Sequence, residues 1–159
     1  MPRLAPGKIE VYLFRRRGGR VEFLALRRSP DRTLPGVWQP VTGSIRRGER
    51  PLAAARREVR EETGIAPRRW WRLESPTLYF DALHGELHAV LLLAAEIGAR
   101  DTVRLSREHD GHRFLGAATA GKRFLWDSQR LGLAAVRSQV LRGGPRSRAL
   151  EITEHMRRR

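Results

Sequence analysis

Apolar residues along this chain fall in short runs separated by charged or glycine-containing segments, a pattern typical of β-strands. Apolar residues dominate 21–26, and this segment pairs naturally with 9–14 as a hairpin across Gly18 and Gly19. The run 86–97 is continuously apolar at its centre, which predicts a buried strand near the middle of a sheet. Further short extended segments are predicted at 37–41, 70–73, 78–80 and 108–115.

Two segments have the periodicity of helices. Residues 51–63 are strong helix formers that open with a proline, which the first turn tolerates, and Gly64 ends the segment. Residues 127–141 place apolar side chains at helical spacing, with Asp127 or Ser128 as the predicted cap. Strands flanked by two helices predict a mixed α/β sandwich.

The composition changes after residue 142. Gly143, Gly144 and Pro145 break the second predicted helix, and the residues that follow are rich in arginine. We therefore expect a single domain over residues 1–142 and a loosely ordered basic tail over residues 143–159.

The overall composition is that of a soluble globular protein, with 40% apolar and 31% charged residues. The apolar run 89–95 is too short to span a bilayer, and the N-terminus has no signal-peptide core. We therefore expect a cytoplasmic location and no membrane partner. The chain has no cysteine, so oxygen or histidine must hold any bound metal, and oxygen favours Mg²⁺ or Mn²⁺.

The formal net charge is +15, from 32 Lys and Arg against 17 Asp and Glu. Such a surplus favours anionic partners, either nucleic acid or phosphorylated small molecules. Because arginine is spread along the chain without interleaved aromatic residues, nucleic acid is the less favoured of the two.

Carboxylates are concentrated in the first predicted helix. Glu58, Glu61 and Glu62 fall within one turn, and Glu49 stands in the preceding loop. A solvated acidic face is the ordinary interpretation of such a cluster taken alone. Glu58 and Glu62 nevertheless border the apolar face of the helix, where partly shielded carboxylates repel one another unless a cation neutralises them. Arg57, four residues before Glu61, can orient that side chain by a charge-assisted hydrogen bond.

The spacing of the whole segment is far more specific than the cluster. Five residues separate Gly43 from Glu49, seven more precede Arg57-Glu58-Val59, and single residues separate these from Glu61-Glu62 and Gly64-Ile65. This pattern resembles the Nudix box at every fixed position. The resemblance implies a Nudix-type α/β/α sandwich with a mixed β-sheet. It also implies a pyrophosphohydrolase that cleaves a diphosphate linkage with Mg²⁺, or with Mn²⁺ as the second choice.

The resemblance assigns roles to the residues of the box. Glu58 and Glu62 correspond to metal ligands, and Glu61 to a further ligand or to the base that orients the attacking water. The carbonyl of Gly43 corresponds to an additional ligand. Arg57 is expected to pair with the loop carboxylate and so hold the catalytic face of the helix in place.

A later segment adds a candidate. Glu108-His109, followed by Arg113-Phe114-Leu115, resembles a segment of dihydroneopterin triphosphate pyrophosphohydrolases and of dinucleoside polyphosphate hydrolases. In both groups the glutamate reaches the metal site from an opposite loop, so Glu108 is predicted to be catalytic or metal-binding. A solvated loop carboxylate is the alternative. Residues 38–44, just before the box, resemble the dihydroneopterin triphosphate enzymes as well.

The resemblance favours dihydroneopterin triphosphate or a nucleoside triphosphate as substrate. Dinucleoside polyphosphates and RNA 5′ ends are the alternatives within the same chemistry. A different alternative is a non-catalytic module that binds nucleotides or nucleic acid, although such a module has no need to keep all the box acids. Many members of the family are dimers, so a homodimer is also open to this chain.

Side chains outside these motifs are weaker candidates. Lys8, Arg27 and Arg28 are candidates to face the substrate's phosphates, with surface charge as the alternative, and Thr42 is predicted to contact the substrate. His84 and His88 lack a third nitrogen ligand nearby and are assigned structural roles. Aromatic residues that could stack on a ring, unless they belong to the core, are Trp38, Tyr79, Phe80 and Trp126.

Overall fold

One mixed β-sheet forms the centre of the protein. The computed structural model describes residues 3–4 and 7–157. In chain order its strands are β1 (Arg3–Leu4), β2 (Lys8–Arg17), β3 (Arg20–Arg28), β4 (Trp38–Gln39), β5 (Val41–Ser44), β6 (Arg69–Arg72), β7 (Thr77–Asp81), β8 (Glu86–Glu96) and β9 (His109–Leu115).

The strand predicted to be central is β8, and the structure confirms its position. It pairs in parallel with β1 and β2, and antiparallel with β6 and β7. The predicted hairpin is also confirmed, as β2 and β3 pair antiparallel. Pairing of β2 with β5 sets Gly43 opposite Ile9, and pairing of β3 with β9 sets His109 opposite Arg28. Because β2 and β3 are antiparallel, both pairs lie at the same end of the sheet.

Helices cover both faces of this sheet, as the α/β/α prediction requires. One face packs against α1 (Pro51–Thr63), which buries Ala54, Ala55 and Val59. The other face packs against α2 (Ala117–Arg123) and α3 (Asp127–Ala135), which continues as a π-helical segment, Val136–Leu141. Among the described residues, no helix is long and apolar enough to cross a membrane.

The prediction of a loosely ordered tail after residue 142 is wrong for the residues that the structure describes. Residues 144–157 form α4 (Gly144–Leu150) and α5 (Thr153–Arg157). Leu150 and Met156 are only 3% and 4% exposed, and they join the clusters on opposite faces of the sheet. The amide of Ile152 donates to the Trp70 carbonyl at 2.8 Å. Arginine dominated the composition here and concealed apolar residues at helical spacing. Arg158 and Arg159 lie outside the described residues.

Two further details differ from the prediction. Helix α2 was not expected, because its sequence is rich in small residues and lacks an apolar stripe. The predicted cap of α3 is also wrong, since Trp126 occupies the cap position. There the side chain of Gln129 accepts a hydrogen bond from the Trp126 amide at 3.4 Å. The Gln129 side chain, from the first turn of α3, therefore takes part in the cap, and Asp127 and Ser128 do not occupy the cap position.

Substituting Met156 tests the contribution of the last helix to stability. We expect Met156→Ala to lower the free energy of unfolding by about 2–5 kcal/mol, because it leaves a cavity under α1. His155→Ala, at an exposed neighbouring position, should change stability by less than about 0.5 kcal/mol. Urea denaturation followed by circular dichroism measures both. Equal, small effects would show that the C-terminal helices are not part of the folded core.

Candidate metal centre and active site

Helix α1 carries a carboxylate into the protein together with its apolar face. The predicted ends of the helix are confirmed, with Pro51 in its first turn and Gly64 in the left-handed conformation (φ 70°) that favours glycine. Between them the inner face buries Val59 and, three residues later, Glu62. The same packing that holds the helix on the sheet therefore takes Glu62 out of water.

The buried state of Glu62 is unusual for a carboxylate. Its exposure is 2%, and neither side-chain oxygen has a hydrogen-bond partner among the described residues. Burial raises its pKa to about 9, and the nearby charges of Glu58 and Glu108 add to the shift. A buried, unpartnered carboxylate costs free energy unless a proton or a cation neutralises it. Glu62 is therefore expected to bind either a proton or a cation.

Glu58 lies directly against the backbone of β5. A Cβ atom added at Gly43 would overlap the Glu58 carboxyl group, so only glycine leaves that space open. The Glu58 side chain is 13% exposed, and its burial raises its pKa against the opposing effect of Arg57. Gly43 therefore sets where the Glu58 carboxylate stands, and its own backbone lies beside that carboxylate.

Arg57 connects the loop before α1 to the acidic face of the helix. Its guanidinium donates two hydrogen bonds to Glu49, at 2.7 and 2.9 Å, and one to the Ser44 carbonyl at 3.1 Å. It also donates to Glu58 at 2.5 Å and to Glu61 at 3.3 Å. Hydrogen bonds from Arg57 are the main reason that the pKa of Glu49 is lowered to about 2. The expected pairings of Arg57 with Glu49 and Glu61 are both present.

His109 is a neighbour of Glu62 for which the sequence pattern predicted no separate role. Its Nδ1 atom lies 3.9 Å from a Glu62 oxygen, has no hydrogen-bond partner among the described residues, and is buried. Its Nε2 atom lies 3.3 Å from the side-chain nitrogen, Nε2, of Gln39. Burial, with a contribution from Arg28, lowers the pKa of His109 to about 4. The pair is therefore not a salt bridge at neutral pH, because the imidazole is uncharged.

The pairing of β3 with β9 brings Glu108 and Arg28 to the same place. The Glu108 carbonyl accepts a hydrogen bond from the Ser29 amide at 2.9 Å, and the Glu108 charge raises the pKa of Glu58 and Glu62. The charge of Arg28 acts on Glu62 in the opposite direction. The Arg28 guanidinium also donates to the Thr33 carbonyl at 2.5 Å. The two residues come together with the box acids although they lie 80 positions apart.

Lys8 and Thr42 lie on the other face of the sheet from Glu58. Along β2, Lys8 alternates with Ile9, which packs under α1, and Thr42 is opposite Glu10. The Lys8 Nζ atom is 5.8 Å from the centre of the Tyr79 ring. The Thr42 hydroxyl accepts a hydrogen bond from Gln39 at 3.4 Å. Lys8 is therefore separated from the carboxylates by the sheet, whereas the Gln39 side chain that contacts Thr42 also contacts His109, the neighbour of Glu62.

The aromatic candidates are more exposed than core residues. Tyr79, Phe80 and Trp126 are 42%, 58% and 53% exposed. The Tyr79 ring stacks on His88, with centroids 4.8 Å apart and planes 8° from parallel. His84 instead contacts Asp81, with 2.8 Å between Nδ1 and the carboxylate. Both histidines thus have local structural contacts, and Tyr79 presents one ring face beside Lys8.

The donor set suits a divalent cation only after a rearrangement of side chains. Within residues 7–157, no three His, Asp or Glu side chains stand close enough together to hold a metal ion as they are. Arg57 holds the carboxylates of Glu58 and Glu61, whereas Glu62 is free of such a bond. All these donors are oxygens, which Mg²⁺ and Mn²⁺ prefer. A cation at these carboxylates would therefore compete with Arg57 for Glu58 and Glu61.

Comparisons with known proteins agree with this geometry. The model of the NUDIX domain family matches residues 7–133. A bis(5'-nucleosyl)-tetraphosphatase [asymmetrical] of Caenorhabditis elegans is 32% identical over 106 residues, which is 65% of this chain and 74% of that protein. An octanoyltransferase of Myxococcus xanthus is 32% identical over 124 residues, or 72% of this chain. The match spans only 32% of the octanoyltransferase, less than a third of its length.

Solved structures share the fold. The chain superposes on a C. elegans Ap4A hydrolase with a TM-score of 0.72 and 25% identity, covering 84% of this chain and 96% of the hydrolase. The E. coli dihydroneopterin triphosphate pyrophosphohydrolase gives a TM-score of 0.67 and 21% identity, covering 86% and 99%. The chain therefore belongs to the NUDIX domain family. Within that family it is a hydrolase that acts on acid anhydrides.

Replacing Gly43 tests the close approach of Glu58. We expect Gly43→Ala to reduce hydrolysis of a nucleotide substrate at least about tenfold, because the new methyl group displaces the Glu58 carboxylate. Stability should fall as well, because the Glu58 Cγ and carboxyl group must both move and the bond to Arg57 is disturbed, but the protein should still unfold cooperatively. Gly116→Ala is the matched control, since a Cβ there meets no atom within 4 Å. Steady-state kinetics and thermal unfolding of both variants measure the two effects. Full activity in Gly43→Ala would contradict the assignment.

Proposed function

We propose that this chain is a Mg²⁺-dependent pyrophosphohydrolase, with Mn²⁺ as the second choice of ion, that cleaves a diphosphate linkage in a nucleotide-like substrate. The observation that carries the proposal is the Glu62 carboxylate, which is buried without a partner among the described residues and stands near Glu58 and Glu108. A structural acid in such a position would be expected to have an ion pair or a hydrogen-bond donor.

The metal would be held by oxygen ligands from the box and from the loop opposite. Hydrolases of this family generally use divalent metal ions. When bound, such an ion neutralises the diphosphate, lowers the pKa of a water and stabilises the in-line transition state. The residues that would hold it are Glu58, Glu61, Glu62, Glu108 and the carbonyl of Gly43.

Other residues of the chain would act on these ligands. Arg57 lies at 2.5 Å from Glu58 and 3.3 Å from Glu61, so it can hold both side chains until the ion binds. Neutral His109, 3.9 Å from Glu62, leaves the acid without a competing cation. Glu61 is 49% exposed, which gives it access to solvent and suits either role proposed for it, ligand or base that orients the water.

The substrate's organic part would be bound on the other face of the sheet. Tyr79 is 42% exposed and is held parallel to His88, so it offers a preformed surface for a planar ring. Lys8, beside that ring, pairs through β2 with Ser44, the residue after Gly43. Phosphates of a stacked nucleotide would then reach the carboxylates around the end of the sheet, where Lys8 is opposite Ser44.

Identity to bis(5'-nucleosyl)-tetraphosphatases at 32–34% moves dinucleoside polyphosphates to first place among the candidates. This is a change from the sequence prediction, which favoured dihydroneopterin triphosphate or a nucleoside triphosphate. Dihydroneopterin triphosphate becomes the second candidate, because residues 38–44 resemble the corresponding segment of the enzymes that act on it. The likeness to the E. coli enzyme, at 21% identity, concerns the fold alone.

A substrate panel with a ligand variant tests the proposal. The purified protein with Mg²⁺ should hydrolyse at least one of diadenosine tetraphosphate, dihydroneopterin triphosphate, nucleoside triphosphates and a 5′-triphosphorylated RNA. Glu62→Gln should lose at least about a hundredfold in kcat/KM, because the amide is a weaker ligand without charge. Glu154→Gln, which removes an exposed carboxylate, should keep full activity. An active Glu62→Gln variant would overturn the metal assignment.

The pH dependence of stability tests the electrostatics of the centre without any substrate. The metal-free folded protein binds the Glu62 proton more tightly than the unfolded chain, because the pKa rises from 4.5 to about 9 on folding. The contribution of Glu62 to the free energy of unfolding should therefore be greatest below pH 4.5. It should fall as the pH rises from 4.5 towards 9, by at most about 1.4 kcal/mol per pH unit.

Urea denaturation in EDTA at several pH values measures this slope. In Glu62→Gln the fall should be largely absent, because the neutral amide has no proton to lose. Equal slopes in the two proteins would show that Glu62 does not titrate as a buried acid.

A further inference from the structure

A cavity lies at the flank of α1, between the helix, the start of β6 and α5. Its volume is about 650 Å³, within the range of small-molecule sites. It is enclosed by α1, by the chain between α1 and β6, and by α5. Apolar groups form much of its wall, including Ala53, Ile65, Pro67, Trp70 and Met156.

Five arginines line the same cavity, and two of them have acidic partners. Arg57 is neutralised chiefly by Glu49, which is also part of the wall, and Arg157 pairs with Glu154 at 2.9 Å. These two guanidinium groups are therefore not sources of unbalanced charge.

The other three, Arg56, Arg60 and Arg68, have no carboxylate within 4.0 Å in the part of the chain that the structure describes. Arg56 donates a hydrogen bond to the Met156 carbonyl at 2.8 Å, which holds it at the wall. The Arg68 guanidinium and the Asp101 carboxylate both lie beside Gly98, so Asp101 partly balances Arg68 although it is not within ion-pair distance. Arg56 and Arg60 have no such neighbour among the described ion pairs, and together the three groups leave a positive charge that an anion would neutralise.

We propose that this cavity is a second binding site, distinct from the metal centre, for a small phosphomonoester with an apolar or aromatic body. Arg60 and Arg68 would bind the phosphate, since guanidinium groups suit phosphate oxygens in geometry and charge. The body of the ligand would lie against the apolar wall beside Pro67 and Ile65. This site goes beyond the proposed function, because none of its three arginines that lack an ion pair contacts the carboxylates of the metal centre.

The cavity and Glu62 are on different faces of α1. Ala53 and Arg60, spaced seven residues apart, share the outer face, whereas Val59 and Glu62 are on the buried one. Only Arg57 and its partner Glu49 touch both sides. Binding at one site therefore does not require the other to be occupied.

Calorimetric titration of the metal-free protein tests the proposal. The probe is AMP, which contains no anhydride bond, and EDTA keeps divalent ions away from the carboxylates. We expect saturable binding by the wild type and a loss of at least about tenfold in affinity in Arg60→Ala/Arg68→Ala. Arg17→Ala/Arg20→Ala removes the same charge from the exposed hairpin between β2 and β3 and should stay within about twofold.

A second variant tests the apolar half of the site. Ala53→Trp should weaken AMP binding by filling the cavity without changing its charge, while inorganic phosphate should still bind weakly to this variant. Equal losses in the two double variants would mean that binding follows net charge, and would overturn the proposal. No binding by the wild type at millimolar AMP would overturn it as well. Hydrolytic activity, measured separately with Mg²⁺, should be retained in Arg60→Ala/Arg68→Ala.

Discussion

The burial of one carboxylate, Glu62, is the constraint on which the site depends. Helix α1 must turn its apolar face to the sheet in order to fold, and Glu62 lies on that face with 2% exposure. Water cannot solvate the charge there, and no donor among the described residues replaces it. The folded protein therefore has a strong preference for a proton or a cation at this point, which gives the proposed metal site its driving force.

The surroundings of Glu62 hold the other acids close without closing the site. Arg57 balances the charges of Glu49 and the exposed helix face, and the missing side chain at Gly43 leaves room for Glu58. His109 is adjacent but uncharged at neutral pH, because burial lowers its pKa to about 4. A cation that binds Glu62 thus competes with Arg57 for the remaining carboxylates and meets no fixed positive partner on Glu62 itself.

Different parts of the fold carry the box carboxylates and the proposed specificity. The carboxylates stand at one end of the sheet on the α1 side, while Tyr79, Lys8 and Thr42 lie on the opposite side. Loops and edge strands can change without disturbing the packing of α1. Under the proposed function, the substrate's organic part could thus vary between relatives while the packing of α1 is kept.

Local sequence determined the parts of this protein that rest on local physics. Proline and glycine at the ends of α1, the glycine turn between β2 and β3, and the apolar run of β8 each reflect a preference that a short segment expresses by itself. The spacing of the box acids is likewise a property of one segment. The family and its anhydride chemistry could therefore be predicted from the sequence alone.

Tertiary structure alone decided what depends on distant segments meeting. The place of His109 beside Glu62 comes from the register of β3 against β9, which a sequence pattern does not specify. The order of residues 144–157 comes from the docking of Leu150 and Met156, whose signal was hidden among arginines. The cavity outside α1 requires α5 to close it. Burial and charge balance at these points are sums over many contacts, so they were fixed only when the chain had folded.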